Sequence, residues 1–356
     1  MSRRILGWAE HGIATLYPGC FALVMATGTI SNAFFIESWP WLAAMLFAVC
    51  VLAYPWLCIA MLIRIARFPR ALWSDLVDPR LVFAFFTFVA ASDVFGIALD
   101  LHGWHGAARV LWLIALVLWL VLIYVSFGVL TFLNHAREAA AVIDGAWLIA
   151  IVGTESLVLL GARIAPHLGA FGTSAFVLVH MLWGIGLALY GIFITLFAYR
   201  IFFFAFEPDD ITPVLWVVMG AAAISANAGS TLIVTDTGLP FLAAMRPFID
   251  GVTLILWAWA TWWIPLLVLF GIWKHGACRV PVRYSPALWS LVFPLGMYAV
   301  ASLRLSLAAD FAPLVTISQA MMWIALAAWV ATAMRLAAAS WRSWRTFAAA
   351  GARLPS

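Results

Sequence analysis

Ten apolar runs of membrane-spanning length set the first limit on what this chain can become. A helix crossing the hydrocarbon of a bilayer needs about 20 predominantly apolar residues. Runs of that kind fall at roughly 15–35, 41–63, 80–99, 108–132, 146–162, 170–203, 213–234, 239–272, 287–304 and 312–335. With 66% of 356 residues hydrophobic, only 10% charged and a mean hydropathy of +1.08, the composition is far from that of a soluble domain. The fold class is therefore an all-α integral membrane protein with ten transmembrane helices. The sixth and eighth runs are long enough to tilt or to overrun the bilayer. No hydrophilic stretch between runs is long enough to fold by itself, so the organisation is a single membrane domain over 1–356. Its parts are a cytoplasmic N-terminal tail (1–14), a ten-span region (15–335) and an interfacial or cytoplasmic C-terminal tail (336–356).

Lys and Arg in short loops are retained on the cytoplasmic side. Fifteen of the 19 cations fall on the side of both termini, from Arg3 and Arg4 through Arg64, Arg67, Arg137 and Arg200 to Arg342 and Arg353. Only Arg109, Arg163, Arg246 and Arg304 fall on the other. An even number of spans with both termini cytoplasmic satisfies this split, in the plasma (cell inner) membrane. The net charge of +4 is then topogenic, and no nucleic-acid partner is needed to explain it.

Every second run carries a small polar patch: Met25–Asn32, Val89–Asp93, Val152–Ser156, Gly220–Asn227 and Phe293–Tyr298. The patch centres Gly28, Ala91, Gly153, Gly220 and Gly296 lie 63, 62, 67 and 76 residues apart. That spacing describes a helix pair repeated five times, an inner helix followed by an outer one rich in bulky apolar and aromatic residues. Five helical hairpins in a quasi-fivefold arrangement around a central pore are the simplest closure, because patch dipoles facing hydrocarbon would lack partners. Thr27, Gly28, Ser31, Gly153, Gly220, Ser225 and Asn227 are the pore-lining candidates. Each has an alternative reading: close helix packing for the glycines, and an interhelical or i−4 backbone hydrogen bond for the hydroxyls and the amide. Pro18 and Gly19, near the start of the first span, either place helix-initiating backbone donors near the pore mouth or form a plain helix start.

Tyr17–Gly28 (YPGCFALVMATG), Gly220–Ser225 (GAAAIS) and Phe293–Gly296 (FPLG) resemble the signatures of the tellurite-resistance/dicarboxylate transporter family. That family includes the slow-type anion channels of plants and the fungal malate and sulfite transporters. The resemblance covers nearly the whole chain through its ten-span plan. It implies five hairpins, a homo-trimer, and odd-numbered helices around an anion pore plugged by an aromatic ring in the ninth helix. The matching ring here is Phe293, the pore gate by this resemblance and an ordinary packing residue when the residues are read without it, with Pro294 and Gly296 as the pore kink. Pro294 removes a backbone donor and is expected to bend its helix near the membrane midplane, and a phenyl ring at such a point can close a path by dewetting.

Asp93 and Glu155 lie within odd-numbered spans, where an ionisable side chain is costly and marks a functional candidate. They are the proton-coupling candidates. The alternative is a structural carboxyl tied to a neighbouring helix, with Arg304 or Arg246 as partner. Asp250 is spaced for an i,i+4 pair with Arg246. No arginine lies in the middle of an odd span, so no fixed cationic substrate site is evident.

Other chemistry is disfavoured by spacing. His102 and His105 lie in a short outer loop without a third ligand, and His180 is alone in its span and reads as a hydrogen-bonded packing residue. Glu207-Pro208-Asp209-Asp210 reads as a capped turn. No metal or other cofactor is expected, no phosphate-binding loop is present, and the four cysteines form no disulfide framework. Trp341, Arg342, Trp344 and Arg345 suit the membrane interface. The expected function is therefore an anion channel or transporter, not an enzyme. Its partners are the lipid bilayer and its cargo of small anions or dicarboxylates such as malate. The competing readings are a proton-coupled exporter of sulfite, tellurium oxyanions or organic acids, and an integral-membrane enzyme or non-conducting assembly protein.

Overall fold

A turn of 3-10 helix opens each of the five odd-numbered spans in the computed structural model of the chain, which describes residues 10, 12–133, 143–235 and 237–352. These turns are Pro18–Phe21, Val82–Phe85, Gly145–Leu148, Pro213–Trp216 and Pro286–Leu288. Proline leads three of them, where its fixed φ suits a helix start and its missing N–H costs no bond. At the third, the Asp144 carboxylate accepts from the Ala146 N–H at 2.8 Å, a side-chain cap on an otherwise orphaned donor.

The described residues contain ten helices long and apolar enough to cross a membrane. They are α1 (Pro18–Ile36), α2 (Pro40–Arg67), α3 (Val82–Leu101), α4 (His105–Leu133), α5 (Gly145–His167), α6 (Gly169–Phe203), α7 (Pro213–Val234), α8 (Arg246–Ala277), α9 (Pro286–Ala309) and α10 (Pro313–Ala352). No strand occurs among the described residues. The chain is a multi-pass membrane protein.

Burial divides the helices into two sets. Between 78% and 94% of the apolar 18-residue stretch of each odd-numbered span is buried, against 22% to 44% of that of each even-numbered one. The buried set closes on itself: α1 packs on α3, α3 on α5, α5 on α7, α7 on α9 and α9 on α1. The opening 3-10 turns touch in the same cyclic order. Each even helix packs on its own hairpin partner and also touches the next odd helix round, with α10 reaching α1. An outer helix seated between two inner ones covers them and leaves its far face apolar for lipid, as exposed Leu52, Trp56, Tyr124, Ile255 and Trp323 illustrate.

Small residues set how close the inner helices come. A Cβ on Gly220 of α7 would lie 2.7 Å from the Pro294 ring of α9, and one on Gly296 of α9 would lie 3.0 Å from Ile30 of α1. One on Gly28 of α1 would lie 2.8 Å from Val94 of α3, and one on Gly153 of α5 would lie 3.1 Å from Phe86 of α3. Absent side chains thus let backbones approach where bulkier residues would hold them apart.

Three boundaries differ from the sequence expectation. The apolar run 239–272 is divided: Pro240–Ala244 forms a short helix and α8 starts at Arg246, which places the Arg246–Asp250 pair (3.9 Å) at its first turn. The C-terminal tail is not a separate segment, since α10 continues unbroken for 40 residues to Ala352, about 60 Å at 1.5 Å per residue. After α2, the short helix Pro69–Leu76 folds back and is pinned by Arg64, buried at 2% exposure, whose Nη2 lies 2.6 Å from Asp75. The expectations for the N-terminal tail with Arg3 and Arg4, for Arg137 and for Arg353 lie outside the described residues.

Gly220→Val is expected to destabilise the protein by about 1–3 kcal/mol through overpacking against Pro294. Gly184→Ala in α6, whose added Cβ meets nothing within 4 Å, is expected to be neutral or slightly stabilising. Thermal melts of the two detergent-solubilised variants check the difference.

Candidate functional site

All five inner helices contribute to one cavity of about 50 Å³ in the half of the ring away from the termini. Its wall is Thr29 and Asn32 of α1, Val94 and Ile97 of α3, Leu159 and Arg163 of α5, Asn227 and Thr231 of α7, and Met297, Val300 and Arg304 of α9. On α9 the positions 293, 297, 300 and 304 repeat at helical spacing on one face. Phe293, fully buried, therefore lies one turn below Met297 on the cavity-facing stripe. Pro294 lies in the first half of α9, within four residues of the midpoint of the span. The helix stays continuous through it from Trp289 to Ala309, and its ring seats in the space left by Gly220.

The patch hydroxyls point elsewhere. Thr27 donates to Leu23 O (2.7 Å) and accepts from the Trp329 indole of α10 (2.9 Å). Thr154 donates to Ala150 O (2.8 Å) and accepts from Trp119 of α4 (2.7 Å). Ser302 donates to Tyr298 O (2.8 Å) and accepts from Trp257 of α8 (2.9 Å). On α3, Ser92 donates to Phe88 O (2.7 Å), so Tyr54 of α2 is the donor in the 2.7 Å Tyr54–Ser92 contact. On α7, Ser225 donates to Ala221 O (2.9 Å) while Trp183 of α6 donates to Ser225 O (3.2 Å). Ser31 donates across to Ala43 O of α2 (2.9 Å). Among the pore-lining candidates, Asn227 is the one that reaches the cavity. Thr27, Ser31 and Ser225 make interhelical or i−4 bonds, and Gly28, Gly153 and Gly220 face neighbouring inner helices.

Asp93 and Glu155 are both fully buried, and neither has a cationic partner among the described residues. Ser156 Oγ of α5 lies 2.7 Å from Asp93 Oδ2, and Asp93 Oδ1 has no hydrogen-bond partner. Neither Glu155 oxygen makes a hydrogen bond of good geometry among the described residues, although the Ser225 hydroxyl of α7 approaches the carboxylate. This carboxylate occupies the space over Gly186 of α6, where a Cβ would collide with it. The two acids sit between helices, one in the α3–α5 seam and one under α6. Neither Arg304 nor Arg246 reaches them.

Two arginines at the cavity are the feature the sequence reading missed. Arg163 Nε and Nη2 both donate to Asp100 Oδ2 of α3 (2.9 and 2.7 Å), and Asp100 Oδ1 also contacts His105 Nδ1 (2.7 Å). Arg304 makes no ion pair or hydrogen bond among the described residues. Their signal in the sequence was membership of the four-residue cationic minority, in the last turns of odd-numbered spans. His102 stacks on Phe47 at 4.0 Å, and His180 bonds Phe176 O within its own helix at 2.7 Å. Glu207 and Asp210 form a reciprocal cap around the turn Pro208–Asp210, with Arg200 3.2 Å from Asp210.

A family profile described as voltage-dependent anion channel matches residues 15–337. An uncharacterized transporter of Methanocaldococcus jannaschii is 24% identical over 323 residues, covering 88% of this chain and 92% of that protein. An uncharacterized membrane protein of Mycobacterium tuberculosis is 43% identical over 157 residues, covering 43% of this chain and 79% of that protein.

The indole-to-hydroxyl bonds predict a measurable coupling. A double-mutant cycle of Trp119→Phe with Thr154→Val is expected to return an interaction energy of about 0.5–1.5 kcal/mol in unfolding free energy. Zero coupling would mean that this contact adds nothing to the α4–α5 seam.

Proposed function

Because this chain belongs to the voltage-dependent anion channel family, we propose that it moves small anions or dicarboxylates such as malate along the axis of the five inner helices. The observation that carries this reading is the cavity itself. All five inner helices wall it, and two arginines face it, with Asp100 the one carboxylate bound to either among the described residues. A low-dielectric vestibule with an excess of positive charge concentrates anions and repels cations.

In this reading Phe293 is the gate, closing the path one turn below the vestibule, and Pro294 and Gly296 set the position of the helix that carries it. The protein acts as a conduit, not as an enzyme. It is a single membrane domain in the plasma membrane with both termini cytoplasmic, and it assembles as a trimer. The test is anion flux into proteoliposomes with chloride, nitrate and malate. Phe293→Ala is expected to raise flux by an order of magnitude or more, since removal of the ring ends dewetting at the constriction. Unchanged flux in a folded, inserted variant would remove Phe293 from the gate.

One observation favours a second reading, proton-coupled export of a weak acid or oxyanion. Asp93 and Glu155 are buried with carboxylate oxygens that make no hydrogen bond of good geometry among the described residues, and intramembrane carboxyls of this kind serve as proton relays. In that case flux follows an imposed proton gradient, and Asp93→Asn or Glu155→Gln abolishes the dependence. Flux indifferent to the gradient in all three proteins assigns the acids a packing role.

A further inference from the structure

We propose that a cleft on the terminal side of the membrane is a binding site for one anionic phospholipid, with Arg283, Arg335 and Arg342 around its headgroup phosphate. The cleft lies between the linker that precedes α9 and the C-terminal part of α10, away from the axis of the inner helices.

Charge points there first. After Asp250 the sequence holds eight Lys and Arg and a single acid, Asp310, which follows α9 on the opposite face. Elsewhere on the terminal side arginines meet carboxylates: Arg64 with Asp75, Arg67 with Glu10 and Arg200 with Asp210. Arg283, Arg335 and Arg342 instead line one open cleft of about 650 Å³, roomy enough to seat a phosphate headgroup. None of the three has an acidic partner among the described residues. Like charges gathered in this way repel one another. A phosphate between them relieves that repulsion and accepts charge-assisted hydrogen bonds.

The shape of the cleft is built by α10. Ala331, Arg335, Ala338, Ala339 and Arg342 recur at helical spacing on one of its faces, and the alanines keep the floor low between the two arginines. The opposite wall is Val282, Arg283 and Tyr284, tied to α10 because Arg335 Nη1 donates to Val282 O at 2.7 Å. Arg342 Nε donates to Ala338 O at 3.2 Å, which turns this side chain back along the helix toward the membrane.

Depth selects a lipid as the occupant. About 20 residues of helix cross the hydrocarbon, so a span counted from Pro313 reaches its far edge just before Arg335. Exposed Val330 and Met334 lie on the hydrocarbon side of the arginines, where acyl chains run. Exposed Trp341 and Trp344 lie on the other side, at the level of the headgroups. A second copy of this surface would set arginine against arginine, and a soluble anion would leave the apolar flank bare. An anionic lipid satisfies both the charge and the flank.

Native mass spectrometry of the detergent-purified protein, titrated with phosphatidylglycerol or phosphatidylcholine, tests the site. Arg283→Gln/Arg342→Gln removes two of the charges and spares the Arg335 tie to Val282. Arg283→Lys/Arg342→Lys keeps the charge without the planar fork, and Arg67→Gln/Arg70→Gln removes two cations of the terminal side that lie outside the cleft. Wild type is expected to retain one phosphatidylglycerol per chain, more tightly than phosphatidylcholine. The glutamine pair weakens that binding about tenfold or more, the lysine pair weakens it less, and the control pair leaves it unchanged. Arg342→Gln alone, near the exposed end of α10, shows a smaller loss in the same direction. Equal phosphatidylglycerol binding by wild type and the glutamine pair, equal binding of the two lipids by wild type, or an equal loss in the control pair overturns the proposal. Full displacement of the lipid by millimolar inorganic phosphate also overturns it, making the occupant a soluble anion. A changed number of chains per particle in the glutamine pair, with lipid retained, overturns it in favour of a contact between copies.

Discussion

Polar atoms inside a bilayer must find their partners within the protein, and the architecture follows from how this chain meets that requirement. Each inner helix carries a group that an outer helix satisfies with an aromatic donor: Trp329 to Thr27, Tyr54 to Ser92, Trp119 to Thr154, Trp183 to the Ser225 carbonyl and Trp257 to Ser302. An indole or phenol suits the task because its ring body stays in the apolar layer while a single N–H or O–H reaches inward. The outer helices are therefore more than a lipid-facing sleeve. They fix the rotation of the inner ones, and that rotation decides which side chains are left for the axis.

What remains at the axis is sparse and uneven. On the terminal side the ring ends in five 3-10 turns in mutual contact, and the buried side chains inside it are mainly apolar. On the other side lies the vestibule with Asn32, Asn227, Arg163 and Arg304. The vestibule thus carries two cations, Arg163 and Arg304, at the end of the ring away from the termini. The Arg163–Asp100–His105 cluster at that end also ties α5 to α3 and to the first residue of α4.

The number of helices, their alternation of inner and outer roles and the boundaries of most spans were legible in the sequence because run length and the recurrence of patches carry that information directly. The direction of each patch was not. An amphipathic helix announces its phase by placing polar residues on one side, but α1, α3, α5, α7 and α9 are buried nearly all round, and their periodicity is flat. Gly28 and Thr27 are adjacent in sequence, yet one faces α3 and the other α10. Asp93 and Glu155 were recognisable as buried acids, whereas the hydroxyl beside one and the glycine beneath the other depend on rotations that no sequence pattern encodes. Arg304 was assigned to the outer side because it falls near a span end. Its role at the cavity wall came from the register of α9, which runs on to Ala309 instead of stopping near 304.

Gly220 lets the Pro294 ring of α9 seat against α7, and Gly296 lets α9 seat against the Ile30 and Thr29 side chains of α1. A helix wedged in this way cannot swing sideways without driving one neighbour into another. The soft coordinates left to Phe293 are its own two torsions, χ1 and χ2. Any passage past it would be a matter of one buried ring changing rotamer, a swinging door on a fixed post.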